Sequence, residues 1–450
     1  MLGNEISDYK KLKAIRNKIS DNMRLKVVLK SVYNCGAKVP VIGSRSAVAL
    51  VRNDKTARFV GNSSCKSPWC CPVCTAKQMA KYAAKISCGI DALKEQGQYA
   101  AMITFTIPHT SGFSCYDSTE ILYNVWKAFT IHGNKILESA KNDIFANFMA
   151  ATESKHRVRV AEYTWGSKGW HPHFHCLFWF PKEHFNEIVK YEEALRERWL
   201  ELCKRYTIRQ LLSGYPETQR KTVKAQVETR VRIMYESFAG GSDCVHISKD
   251  SNGLPIRQES SQYLCGWGSD KELIGNIKEK ASHDGHYTWQ QILNKAIEED
   301  ELNELKPAEG SRKAEGAEDA AQYNKWWQLY FEYAEATKRQ RHARINFSVH
   351  SGLMQIIKDW QKTNAYKEVI KKNNTSLVQA FGKWRTVCWF TSSQWLSICN
   401  NDLEIEILKA ALEEDAIAKI TDLLLRHRIP PPVQNLAASE KLEAILNNAA

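Results

Sequence analysis

Between Gly169 and Phe180 the sequence reads GWHPHFHCLFWF, and no other stretch limits the possible folds as strongly. Successive side chains of a β-strand point to opposite faces, and residues two apart share one. His171, His173 and His175 therefore stand in a row on a single face. The run continues into CLFWF, apolar on both faces, as suits a middle strand of a sheet. Just upstream, KHRVRVAEYT is a second strand candidate, and the short WGSKG between them reads as a hairpin turn. A turn centred near Ser167 places Glu162 roughly opposite His171 to His173, and cross-strand neighbours lie about 5 Å apart. Two imidazoles and a carboxylate are a natural set for a divalent ion that keeps open coordination positions for chemistry. Glu162 is accordingly the expected third ligand. Two other readings stand beside this one. The strand is merely rich in hydrogen-bonded histidines, or His-x-His ends a barrel strand as in amidohydrolases, although no downstream His and Asp follow at barrel spacing.

The thirteen cysteines pose a different question. Five fall within the first 75 residues, and an odd total behind a polar start, MLGNEISDYKKLKAIRNKIS, favours thiolate ligation over a secreted disulfide framework. In NSSCKSPWCCPVCTAKQ the pair Cys71 and Cys74 has the Cys-x-x-Cys spacing that lets two sulfurs bind one tetrahedral ion. Cys65 lies close enough to join them, and Cys35 is the candidate fourth ligand, giving a closed structural Zn²⁺ site. A redox pair or unligated buried thiols are the competing readings. Cys70 is left out.

Charge points to the partner. Lys plus Arg number 63 against 50 Asp plus Glu, a net charge of +13, and the acids concentrate in two places. Residues 296–320 hold nine acids against three bases, and residues 401–450 nine against five. A basic body with acidic appendages suits a polyanion, most plausibly nucleic acid, although a solvated basic surface is the plainer alternative. No apolar run reaches the roughly 20 residues that cross a bilayer, so no membrane partner is expected and the expected location is cytoplasmic.

Along the chain, YAAMITFTIPH reads as a buried strand stopped by Pro108, SDCVHISKD as a short strand, and KYEEALRERWLELCKRY as a helix. The expected architecture is α+β, with a central antiparallel sheet, flanking helices, an N-terminal zinc-binding module and a helical C-terminal region. Four segments are expected: 1–98 with the cysteine site, 99–295 with the sheet, an acidic linker or insertion over 296–320, and 321–450. In the last of these, LEIEILKAALEEDAIAKITDLLLRHR has the spacing of one amphipathic helix, suited to docking or oligomerisation.

MITFTIPH, then VRVAEYT with GWHPHFHCLFWF, then SSQYLCGW resemble, in that order, the three motifs of the HUH endonucleases. The likeness is nearest to the rolling-circle replication initiator (Rep) proteins of bacterial plasmids, and the cysteine cluster CKSPWCCPVC before the first motif is similar to the one they carry. It runs from about Cys35 to Leu353, taking in SDKELIG, YTWQQIL and YFEYAEATKRQRHARINFSVHSGL.

The resemblance implies the HUH nuclease fold, with 99–295 as a nicking and joining domain. It implies that His173 and His175, flanking Phe174, bind Mg²⁺ or Mn²⁺ with a third polar ligand, His171 staying outside, and that Tyr263 attacks the scissile phosphate. A phenol with a free pKa of about 10 needs such help near neutral pH. The implied partners are a single-stranded or hairpin DNA origin and host replication proteins such as helicase and polymerase. Where many relatives carry a lysine three residues after the tyrosine, this chain has Gly266, so either that role falls to Lys271 or Lys249, or the activity is altered. Glu259, one turn before Tyr263, is a candidate base for a hydrolytic last step, although an exposed helix carboxylate is the plainer reading. The basic run holding Lys338, Arg339, Arg341 and Arg344 is a candidate phosphate contact or a solvated helix end. Trp165, Trp170 and Trp179 are candidates for base stacking, Trp179 equally for the core. A transposase on the same core, or a zinc-stabilised DNA-binding regulator with a degenerate nuclease site, are the rival functions.

Overall fold

The computed structural model describes residues 5–20, 22–37, 47–54, 56–108, 110–130, 144–236, 244–257, 285–304, 324–339, 344–347, 352–363, 384–434, 440, 441, 443 and 444. Among them are nine strands: β1 (Ala47–Arg52), β2 (Ala57–Val60), β3 (Gln98–Thr106), β4 (Arg157–Gly166), β5 (Gly169–Pro181), β6 (Val245–Ile247), β7 (Tyr287–Thr288), β8 (Ile345–Phe347) and β9 (Arg385–Thr391). The architecture is mixed α+β with antiparallel sheets. No described helix is long and apolar enough to cross a membrane.

The chain divides into two compact units, residues 1–80 with 361–450, and residues 81–360. In the first, an antiparallel sheet runs β2-β1-β9. β1 is AVALVR, buried along its middle, and β9 closes its other edge from Ala47 opposite Thr391 to Arg52 opposite Arg385. The expected 321–450 region is thereby divided, because β1 recruits a strand more than 300 residues away to cover its open edge. The fully buried Phe59 meets Trp395 edge to face at 4.6 Å and Tyr9 at 5.7 Å. The single amphipathic helix expected after Asn401 is instead two, Glu404–Ala410 and Ala416–Arg426. Their apolar residues Ile407, Leu408, Ile420 and Leu424 are buried, so that face serves this unit's own core.

The second unit is built on the sheet β6-β3-β5-β4-β7, with β8 also paired to β4. All its pairings are antiparallel and β5 lies in the middle. The β4–β5 hairpin closes with Gly166 opposite Gly169, leaving Ser167 and Lys168 as a two-residue turn. Gly169 has φ +90°, and a Cβ there would lie 2.9 Å from the Ser111 Cα, so both backbone conformation and space demand glycine.

One face of this sheet is an aromatic core. Phe174 on β5 contacts Tyr123 at 5.1 Å and Trp126 at 5.4 Å, and Phe105 on β3 contacts Trp199 at 5.0 Å. These partners come from the helices Cys115–Thr130 and Glu192–Ser213. The even-numbered side chains of β5 are thus bound to the helices, and the histidines are committed to the other face. Phe174→Ala is expected to cost about 3–5 kcal/mol of the unit's stability, read as a lowered urea midpoint with unchanged slope.

Composition misleads over 296–320. The stretch begins inside the helix Trp289–Glu304, where Trp289, Ile292, Leu293 and Ala296 are buried at helical spacing. Asp300 accepts a hydrogen bond from Trp327 Nε1 at 2.7 Å, tying this helix to Lys325–Arg339. Residues 305–320 lie outside the described residues. The helix Pro72–Glu95, expected to end the N-terminal module, passes from the first unit's residues to the second's, where Gly89 lies against Leu353 and Ile357.

Candidate metal centres

Four thiols meet in the first unit. The Sγ atoms of Cys35, Cys65, Cys71 and Cys74 all lie within 4.8 Å of one another. Cys35 Sγ is 3.4 Å from Cys74 Sγ and 3.7 Å from Cys71 Sγ. The edge of a tetrahedron of sulfurs about 2.3 Å from a central Zn²⁺ is about 3.8 Å, so the spacing is that of one coordination sphere. Local sequence explains half of it. Pro72 opens the helix Pro72–Glu95, where its missing N–H is no loss. Cys71 and Cys74 therefore flank the helix start, whose dipole favours thiolates.

The surroundings favour negative sulfur at two of the four, Cys35 and Cys74. The Cys65 N–H donates to Cys35 Sγ at 3.5 Å, the Ser67 N–H to Cys65 Sγ at 3.5 Å, and Ser64 Oγ lies 3.1 Å from Cys74 Sγ. Hydrogen bonding from Cys65 and Cys71 lowers the Cys35 pKa, and that from Cys35, Cys65 and Cys71 lowers that of Cys74, whereas hydrogen bonding with Cys35 pushes the Cys65 and Cys71 thiols up. The group can hold a structural metal such as zinc, with no position left open. Cys70 stays apart, its Sγ 3.8 Å from Ser67 Oγ. Elemental analysis is expected to find about one zinc per chain, and Cys74→Ser to lose it together with the cooperative melting of the first unit.

The second centre lies on the histidine face of β5. Glu162 on β4 is directly opposite His173, as the hairpin register requires. Its Oε2 is 3.0 Å from His175 Nε2 and 3.4 Å from His173 Nε2, and the two Nε2 atoms are 3.1 Å apart. Ligands about 2.1 Å from one ion are separated by about 3.0 Å when octahedral and about 3.4 Å when tetrahedral. The three atoms are therefore spaced as neighbours around a single cation.

Their hydrogen bonds agree. His173 Nδ1 is 3.2 Å from the His171 carbonyl oxygen, which can only accept. Neutral His173 thus carries its proton on Nδ1 and aims a bare Nε2 lone pair inward. His175 Nδ1 is 3.0 Å from Thr104 Oγ1, a hydroxyl able to donate or accept. Either one proton on His175 Nε2 or a metal ion in its place satisfies all three converging atoms. Burial pulls the His175 pKa down, against the pull of Glu162. Burial pushes Glu162 up, but its hydrogen bonds with His173 and His175 outweigh this and hold the carboxyl well below the usual range. At neutral pH the group offers a carboxylate and an uncharged imidazole, as a divalent cation requires.

His171 turns elsewhere, with Nε2 on the Thr106 hydroxyl. Thr104 and Thr106, which orient these rings, escaped the sequence analysis, although their alternation in MITFTIPH and the pairing of β3 with β5 carry the signal.

The remaining candidates divide. Tyr263, Glu259, Gly266, Lys271 and Arg341 lie outside the described residues, and so does the side chain of Arg339. Lys249 forms an ion pair with Glu192 and is engaged within the fold. Lys338 is exposed near the end of its helix, and the Arg344 carbonyl accepts from the Ala161 N–H at 2.8 Å. Trp170 and Trp179 are buried and have no face to offer a base, so their expected stacking role is withdrawn. Trp165 is only half-buried.

No family model matches the chain, and no solved structure matches it. It is similar to a neomycin resistance protein of Streptomyces cyanogenus, 25% identical over 134 residues, which cover 26% of this chain and 30% of that protein.

Proposed function

We propose that the protein is an HUH-type nuclease that nicks and rejoins one DNA strand at an origin, through a phosphotyrosine intermediate, to start rolling-circle replication of a plasmid. The observation that carries this reading is the convergence of His173 Nε2 and His175 Nε2, on the middle strand of an antiparallel sheet, with Glu162 Oε2 of the neighbouring strand. The order of the sequence motifs supplies the rest.

In this reading a divalent ion on those atoms would polarise the scissile phosphate. His173 and His175 hold their lone pairs toward it, with Thr104 and the His171 carbonyl fixing the rings. Tyr263 attacks phosphorus: a bond forms between its phenolic oxygen and the phosphate as the phenol gives its proton to solvent, and the bond to the 3′ oxygen breaks, that oxygen taking a proton from solvent. The products are a 5′-phosphotyrosine and a free 3′-hydroxyl for a polymerase. Phosphoester energy is conserved, so a second transfer can rejoin the strand. The thiol group of the first unit plays no chemical part and holds structure.

The test is a nicking assay with a panel of single-stranded and hairpin oligonucleotides in the presence of Mn²⁺. A protein–DNA adduct stable to SDS is the expected product. A folded protein that binds DNA without forming it would instead be a regulator.

A further inference from the structure

Half-buried aromatic rings gather at the hairpin end of the second unit's sheet. Trp165, near the end of β4, is paired in register with Tyr287 of β7. Their rings are 6.3 Å apart and tilted by 33°. Trp326 stands edge-on to both, 5.9 Å from Trp165 and 5.1 Å from Tyr287. Two lysines rest on these rings. Lys325 Nζ is 4.6 Å from the Trp165 centroid and 5.8 Å from that of Trp326. Lys295 Nζ is 5.2 Å from Tyr287 and 5.1 Å from Trp326.

We infer that Trp165, Tyr287 and Trp326, with Lys295 and Lys325, form a platform that binds the unpaired bases and phosphates of a single DNA strand. Each part has a reason. Three indole and phenol rings only partly covered by protein offer apolar area that any base can stack on, whatever its sequence. An ammonium over a partly exposed ring is held by a modest attraction and can exchange the ring for a phosphate. Lys325 is the first residue of the helix Lys325–Arg339, where the helix dipole disfavours a cation. Folding does not call for a lysine there, whereas a bound anion does. A duplex keeps its bases stacked inside and gives the rings little to hold, so the occupant is a single strand. The net charge of +13 works in the same direction.

The inference rests on the proposed function only in taking that strand to be the one the nuclease handles. Trp165 lies three residues beyond Glu162, about 10 Å along the strand and on the opposite face. A strand that reaches both sites passes round the β4–β5 turn.

The experiment is fluorescence anisotropy of a labelled oligo(dT), without added metal, over a series of salt concentrations. Trp165→Ala and Trp326→Ala are expected to lower affinity roughly five- to a hundredfold each while leaving the salt slope unchanged. Lys295→Gln and Lys325→Gln are each expected to reduce the log–log salt slope by about 0.7. Trp165→Phe, which keeps a stacking ring, should retain most of the affinity and guards against misfolding in the alanine variant. Wild-type affinity in both alanine variants would overturn the platform, and so would an equal loss for a blunt duplex. Because no cleavage is measured, a protein that never nicks can still pass, and a competent nuclease can still fail.

Discussion

His173→Ala and His175→Ala are each expected to lower Mn²⁺- or Mg²⁺-dependent nicking by about a thousandfold or more. The three converging atoms stand 3.0 to 3.4 Å apart, so removing one imidazole leaves two ligands and a hole. A metal's contribution to stabilising charge at phosphorus amounts to several kcal/mol, and each 1.4 kcal/mol is tenfold. Glu162→Gln should fall in the same class, since it removes the one anionic ligand. Thr104→Val is expected to behave differently. It leaves all three ligands but loses the hydroxyl on His175 Nδ1, which should weaken metal affinity about 10- to 100-fold and yield to added Mn²⁺. Titrating Mn²⁺ against initial nicking rate separates the classes. Unchanged cleavage in both histidine variants would remove the metal from the mechanism.

Tyr263→Phe is expected to abolish the SDS-stable DNA adduct while leaving oligonucleotide affinity within a few-fold of wild type. In the proposed mechanism the phenolic oxygen is the atom that forms the new bond to phosphorus, and phenylalanine keeps the ring without it. Attack by water would cut the strand without leaving a covalent link, so it could not restore the adduct. Gel separation of labelled DNA after denaturation reads the result directly. An adduct at wild-type yield would move the nucleophile to another of the seventeen tyrosines. Lys249 is engaged with Glu192, so Lys249→Gln should act on stability more than on the transfer step.

Much of the histidine centre was legible because its parts are close in sequence. Alternation placed His173 and His175 on one face, and the short turn at Ser167 fixed which residue of β4 faces them. A two-residue hairpin leaves little freedom of register, and Glu162 falls opposite His173 as a result. The Cys71 and Cys74 pair was legible for the same reason, through the helix start at Pro72. Charge was a poorer guide. Acidic residues made 296–320 look like a linker, yet the helical spacing of Trp289, Ile292, Leu293 and Ala296 outweighs them at its beginning. Arg159 is buried despite its charge, its guanidinium 4.4 Å from the Phe174 ring centroid.

The sequence alone determined the local geometry: which strands form the hairpin, which side chains share a face, and which thiols lie one helical turn apart. Tertiary structure decided what meets across long intervals of chain. It brought β9 to β1, Cys35 to Cys74, Thr104 to His175, and Trp326 to Trp165. The reason is physical. Backbone stereochemistry repeats over a few residues and leaves a periodic mark, whereas distant segments meet only because burial and strand-edge pairing reward the whole arrangement, and no short window of sequence records that sum.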